Sequence, residues 1–245
     1  MKFFLFTFAL LYTLTNAAAE NESNLTPITP TAFTAKYEAT WKSGWFPVVI
    51  EAERKLTQLE NGHWNLTFEA YSSIADLHEG SEYVLEGAII KPLKYRYKTS
   101  GFLSKRKRGQ VFDWDKKQTF VTNRDEWANY ELTLGTQDNL SYQEQIRLDL
   151  IAGKKEFDYQ IAYKNRLKSF QFKVDKRSKL KTKQGTINTV EVIRVNQKKK
   201  ASTRIWFATD YDYLLVKLKN KEKNGDSNVI ELKHAQVGDR TLQGF

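Results

Sequence analysis

Residues 48–70 read VVIEAERKLTQLENGHWNLTFEA, and this stretch decides the fold class. Val48, Ile50, Ala52 and Leu56 share one parity in its first half, as do Trp64, Leu66, Phe68 and Ala70 in its second. A period of two puts such side chains on one face of an extended strand and the intervening polar ones on the other. Asn61-Gly62 separates the halves, and both residues tolerate the positive φ that a type I′ turn requires. The stretch is predicted to be a β-hairpin with one apolar face.

The same rhythm runs outward in both directions. Upstream, Phe33, Ala35, Tyr37, Ala39 and Trp41 alternate with Thr34, Lys36, Glu38 and Thr40. Downstream, a strand is predicted over 83–90, before Pro92, and then Leu93, Tyr95 and Tyr97 alternate. Val111, Phe112 and Trp114 lead through a polar turn at 115–118 to Phe120 and Val121. Residues 157–163 and 170–174 form a predicted antiparallel pair, Gly185 divides a Lys-rich strand from one over 187–195, and strands over 203–207, 213–218 and 229–234 follow. Asn224-Gly225-Asp226 is the expected turn between the last two.

One segment breaks the pattern. Residues 138–152 read as a helix, with Ser141 as its cap and Glu144 completing a capping box. Ile146 and Leu150, with Leu148 and Ile151, cover one broad apolar face, and Gly153 can end the helix in a left-handed conformation. So short a helix is marginal alone, so its apolar face is expected to rest on the concave side of the sheet. The fold class is mainly β: a curved antiparallel sheet, an open half-barrel or sandwich, with one central helix at about 141–152. No Pro/Gly/Ser-rich linker divides the chain, so residues 33–245 are read as a single antiparallel domain.

The start of the chain bears on location. Met1-Lys2, an uncharged apolar run over 3–15 and Ala17-Ala18-Ala19 have the layout of a secretory signal peptide cleaved after Ala19. Residues 20–32, with Pro27 and Pro30, read as a flexible lead-in. The expected location is the periplasm. Without the leader's single lysine, 38 basic and 29 acidic residues give +9. The sequence has no cysteine, which excludes thiol catalysis, thiolate metal sites and a lipid-modified cysteine after the leader.

No catalytic signature emerges. The histidines are His63, His78 and His234; His78-Glu79-Gly80-Ser81-Glu82 lacks the second histidine of a zinc-protease helix and reads as a polar loop. No catalytic residue, metal or cofactor is assigned. Asp113/Asp115 and Asp210/Asp212 are carboxylate pairs spaced to share a strand face, but both border turns, which is their ordinary chemistry. Trp45, Phe46, Trp127 and Tyr130 lie outside clean alternation and are candidates to line a cavity mouth. Phe102, followed by Lys105, Arg106, Lys107 and Arg108, is a candidate contact for an anionic membrane surface. Export makes nucleic acid a poor partner.

The order of motifs resembles the bacterial exported family known as domain of unknown function 3108. The matching stretches are Phe33-Thr-Ala-Lys-Tyr-Glu-Ala, Val111-Phe-Asp-Trp-Asp, Asp138-Asn-Leu-Ser, Ile146-Arg-Leu-Asp-Leu and Ile205-Trp-Phe-Ala-Thr-Asp, over about residues 33–235. Leu214-Leu215 stand where the family usually has a proline. The resemblance implies a periplasmic, mainly antiparallel β protein and brings no activity. Asp138, Ser141, Arg147 and Asp149 match the family's helix motif; the first two suit capping, and the other two are expected to anchor the helix to the sheet by ion pairs. At fold level it is similar to half-barrel lipoprotein carriers, which wrap a sheet around helices and apolar ligands. The function expected is a non-enzymatic, envelope-associated binding protein for an apolar or lipid-like ligand. The alternatives are an envelope interaction module with a filled core and protein partner, and a carboxylate-dependent hydrolase of envelope polymers.

Overall fold

A computed structural model describes residues 29–43, 46–72, 75–101, 105–183, 185–195, 197 and 199–245. The predicted leader therefore lies outside the described residues. Eight strands come first: Phe33–Ser43 (β1), Phe46–Gln58 (β2), Trp64–Tyr71 (β3), Ala75–Glu86 (β4), Ile89–Gly101 (β5), Arg106–Asp113 (β6), Gln118–Val121 (β7) and Glu126–Trp127 (β8). The helix Ser141–Ile151 (α1) follows. Then come Glu156–Tyr163 (β9), Arg166–Thr182 (β10), Gly185–Arg194 (β11), Ser202–Ala208 (β12), Leu214–Lys221 (β13), Ser227–Val237 (β14) and Arg240–Gln243 (β15).

All fifteen strands among the described residues belong to one antiparallel sheet. Its path runs from β8 back to β1, crosses to β14, and returns to β9, with β15 attached to β14. The join is the β1–β14 ladder, which sets Phe33 opposite Val237 and Lys42 opposite Ser227. The edge strands β8 and β9 do not pair with each other. The chain between them is tied to both edges, and the sheet stays open: Ala128 N–H donates to the Thr119 carbonyl, Leu132 N–H to Lys117, and Gln137 N–H to Gln160.

Curvature comes from bulges. One strand of a pair carries an extra residue at Lys233, Leu93, Asp175 and Val216, where the partner register jumps by one. Each bulge bends its strand and increases its twist. Leu214, Leu215 and Val216 are all buried because the bulge sits among them, a run that simple alternation does not explain.

The sheet wraps the helix more completely than one apolar face requires. Besides Ile146, Leu148 and Leu150, the polar residues Ser141, Glu144, Gln145, Arg147 and Asp149 are buried. Each has a partner. Gln145 accepts from Ile90 N–H (2.7 Å) and donates to the Ala88 carbonyl (2.9 Å), which ties α1 to the β4–β5 turn. Arg147 donates Nε–H to the Asp212 carbonyl (2.6 Å) and Nη1–H to Glu144 (2.6 Å). Asp149 accepts from the Tyr159 hydroxyl on β9 (2.7 Å). Arg147 and Asp149 thus hold the helix to its surroundings through a backbone carbonyl and a phenol, while their ion pairs, to Glu144 and Lys154, stay on or next to the helix. Tyr159→Phe removes one hydrogen bond from a buried carboxylate, and a loss of about 1–2 kcal/mol is expected in urea unfolding. An unchanged midpoint would mean that Lys154 and Gln145 suffice for Asp149.

Several local expectations need correction. The 58–64 turn is not type I′: Gly62 has φ +82° but Asn61 does not have positive φ, and Gly62 N–H bonds the Leu59 carbonyl. This is the longer hairpin loop in which one left-handed glycine follows a β-turn. The strand read over 83–90 is two strands, broken by a turn at Gly87-Ala88. The polar loop read at 78–82 lies inside β4. The capping box is displaced by three residues. Asp138 Oδ1 accepts from Leu140 and Ser141 N–H (2.8 and 2.7 Å), and Ser141 Oγ accepts from Asp138 N–H (2.9 Å). Glu144 is left to Arg147. Gly153 does end the helix at φ +80°, with Lys154 N–H bonded to Asp149 and Gly153 N–H to Leu150, a Schellman arrangement. At the other end of the fold, residues 29–32 are tied down: Pro30 is buried and the Ala32 carbonyl accepts from Gly238 N–H.

Candidate functional site

Alternation on the inner face places one cross-strand row from β1 to β6: Ala35, Arg54, Phe68, Glu79, Tyr97 and Arg108 stand opposite one another in turn. A second row, in β9 to β11, sets Phe157 opposite Phe172 and Phe172 opposite Arg194. Between these rows and the first turn of α1 lies a cavity of about 340 Å³. Tyr37, Phe68, Leu140, Leu215, Leu218 and Ile230 give its apolar wall. Arg54, Glu79, Gln143, Arg194, Asn220 and Asn228 give its polar wall. The Tyr37 hydroxyl crosses to the Leu215 carbonyl (2.7 Å), which the β13 bulge turns inward.

The polar wall is unusual in its electrostatics. Arg54, only 5% exposed, donates to Gln143 Oε1, a neutral acceptor, at 2.5 Å, and its Nε has no partner. Arg194 lies over the Phe170 ring at 3.5 Å, and its Nε also has no partner. Tyr142 packs edge-on to Phe170 and parallel to Phe172, so the helix supplies part of this aromatic support. Glu79 accepts from the Tyr95 hydroxyl at 2.5 Å. Burial pushes its carboxyl up to about 7, against the pull of that hydroxyl and of Arg54.

The sign for stability follows. In the unfolded chain Glu79 ionises near its ordinary 4.5, whereas the native state resists ionisation until about 7. Native stability is therefore lost as pH rises through that window, by on the order of 2 kcal/mol after allowing for solvent in the cavity. Glu79→Gln, which cannot ionise, should flatten the fall in urea midpoint between pH 5 and pH 8 relative to the parent. Asp138, also raised by burial, contributes the same sign to both proteins. Parallel pH profiles would show that Glu79 ionises freely.

The residues singled out from sequence are placed as follows. Trp45, Phe102 and the Phe46 side chain lie outside the described residues. Trp127 is 44% exposed and packs edge-on to Phe120 on β7. Tyr130 packs against the core beside Thr119. Neither lines the cavity. Lys105, Arg106 and Lys107 are exposed, while Arg108 is half-buried over the rings of Tyr97 (4.7 Å) and Tyr163 (5.5 Å). Asp138, Ser141, Arg147 and Asp149 are all buried around the helix.

Asp113 is held by Lys116, Asp210 by Asn188 and Asp212 by Arg240, and none of them faces the cavity. His63 bonds Glu82, His78 lies beside Glu69, and His234 bonds Gln243. Among the described residues no three acidic or histidine side chains gather as metal ligands, and no helix is long and apolar enough to cross a membrane. Sequence reasoning missed Arg54, Glu79 and Arg194. The signal was present in Arg54, a charge at an inward position between Ala52 and Leu56.

An open antiparallel sheet curled round a buried helix, with a half-polar cavity at the helix's first turn, defines the class of protein. The chain belongs to the family described as protein of unknown function (DUF3108), which matches residues 36–233. Its fold is similar to the crystal structure of a β-barrel-like protein of domain of unknown function DUF1849 from Brucella abortus: TM-score 0.56 at 9% identity, covering 86% of this chain and 100% of that one. Weaker similarity reaches a putative outer membrane lipoprotein-sorting protein domain from Vibrio parahaemolyticus (TM-score 0.30, 7% identity, 85% and 86% covered). It also reaches a DUF1329 family protein from Desulfovibrio piger (TM-score 0.28, 7% identity, 86% and 87% covered). A search of curated proteins finds no match.

Proposed function

We propose that this protein is a non-enzymatic binding protein of the bacterial envelope that holds a small amphiphilic ligand inside its curled sheet. The leader at 1–19, cleaved after Ala19, would deliver it to the periplasm, where residues 33–245 fold as one unit. The cavity carries this reading. Its volume of about 340 Å³ falls in the range of small-molecule sites, about 300–1,000 Å³. Its walls are half apolar and half polar, which suits the lipid-like side of the expected apolar or lipid-like ligand, an amphiphile. A filled-core module needs no such space, and a carboxylate-dependent hydrolase would need a carboxylate pair across it, whereas Glu79 is its only lining carboxylate among the described residues.

The test is native mass spectrometry of the full chain recovered from the periplasmic fraction. A chain mass matching cleavage after Ala19 and a bound small molecule are expected. Ile230→Trp, which fills the cavity from its β14 wall, should abolish the adduct without unfolding the protein. Adduct-free parent protein, with lipid extracts failing to restore one, would reject the reading.

A further inference from the structure

We propose that Arg54 and Arg194 form a head-group subsite that selects anionic amphiphiles, with a carboxylate or phosphate taken between the two guanidinium groups. The inference rests on the reading of the cavity as a ligand site and names the chemical class it accepts.

Of the eleven arginines, Arg96, Arg106, Arg166 and Arg177 are exposed and need no partner, and Arg108 lies on aromatic rings. Arg124, Arg147, Arg204 and Arg240 each meet a carboxylate. Arg147, the most enclosed of them, is matched by Glu144 in the same buried space. Arg54 is nearly as buried, yet forms no ion pair among the described residues; Gln143 is its neutral partner and its Nε points at nothing. A guanidinium withdrawn from water without a counter-charge is costly, and such groups are normally paired. Arg194, half-buried on another wall of the cavity, also forms no ion pair among the described residues; its guanidinium lies over Phe170 and its Nε is unpartnered. The one carboxyl on the wall, Glu79, is engaged by Tyr95 and stands two strands from Arg54, with Phe68 between.

Two cations, one engaged carboxyl and several amides leave an excess of donors. A bound oxyanion would satisfy both free Nε–H groups, and planar guanidinium suits carboxylate and phosphate alike. Further basic side chains stand near this wall without lining the cavity. Arg108 lies on Tyr97 and Tyr163, and Lys168 on Tyr163 at 3.2 Å. Farther along β1 and β2 from Arg54, Trp41 (57% exposed) pairs with Val48 (39% exposed), next to Ala39 and Ile50. An acyl chain leaving the head group has an apolar lip to follow.

The test compares laurate, dodecyl phosphate, dodecanol and inorganic phosphate on the mature protein, by calorimetry and by displacement of a fluorescent fatty acid. Laurate or dodecyl phosphate should bind at least tenfold more tightly than dodecanol. Arg54→Met and Arg194→Gln should each erase that preference by lowering the affinity for laurate and dodecyl phosphate at least tenfold. Arg54→Met should not lower the melting temperature, because it removes an unpaired buried charge; Arg54→Lys controls for charge without the planar fork. Preference for one of the two anionic chains identifies the head group. Inorganic phosphate binding as tightly as the chain-bearing anions would support the subsite and reject the amphiphile. Equal binding of laurate and dodecanol, untouched by both variants, would overturn the subsite and leave the cavity's role as a ligand site standing. No binding by any probe would overturn both.

Discussion

Arg147→Ala is expected to cost about 3–5 kcal/mol, a large fraction of the roughly 5–15 kcal/mol that holds a typical domain folded. The guanidinium is 2% exposed and has Glu144 as its only carboxylate partner among the described residues. Its Nε–H holds the Asp212 carbonyl two residues before β13, Nη2 reaches toward the Thr31 carbonyl before β1, and the group lies 5.4 Å from the Phe33 ring centroid. One side chain therefore ties the helix to both strands flanking β14. Alanine leaves a cavity, two freed carbonyls and a buried, unpaired Glu144, and the last dominates. The double variant Glu144→Gln/Arg147→Met removes both charges at nearly constant volume and should recover at least half of the loss in urea unfolding. A single variant within about 1 kcal/mol of the parent would show that packing alone holds the helix.

Asp138→Ala comes next, at about 3 kcal/mol. Its carboxylate accepts from Ser81 Oγ on β4 and from the N–H groups of Leu140 and Ser141. Alanine removes a helix cap, worth about 0.5–2 kcal/mol, and strands the Ser81 hydroxyl in a dry site, which adds about 1–3 kcal/mol. Asp138→Asn keeps an acceptor for the cap and should cost less than half as much. Ser81→Ala in the Asp138→Ala background should add little, since the two groups serve each other. Equal losses for Ala and Asn would mean that the negative charge, rather than the bond geometry, sustains the turn.

Much of this architecture is legible in the residues. The alternation through Phe33–Ala39 and Trp64–Ala70 put the right side chains inside, although Trp41 at the end of the first run is exposed, and the Asp138-Asn-Leu-Ser motif lay where the helix begins. The errors have physical causes. Bulges at Leu93 and Val216 switch strand parity, and a count of alternating residues cannot anticipate a switch set by curvature. The capping box went to Asp138 and Ser141 because Glu144 had a stronger demand on it, from a buried guanidinium contributed by the same helix. The turn at Gly87-Ala88, where Gly87 takes φ +60°, is hidden in the sequence because a lone glycine between Leu85 and Ile89 also fits a strand interior.

The site divides along the same line. By itself the sequence determined that this is a curved antiparallel β protein with one central helix, since strand period, turn chemistry and helix spacing are local properties of the chain. It could also show that Arg54 carries charge on an apolar face. Only the tertiary structure decided what that charge meets. Arg54 and Arg194 are 140 residues apart, on β2 and β11, and share a cavity because the β1–β14 ladder closes one half of the sheet against the other. Whether a buried cation is paired or free depends on which carboxylate the fold brings within reach, and no local pattern encodes that.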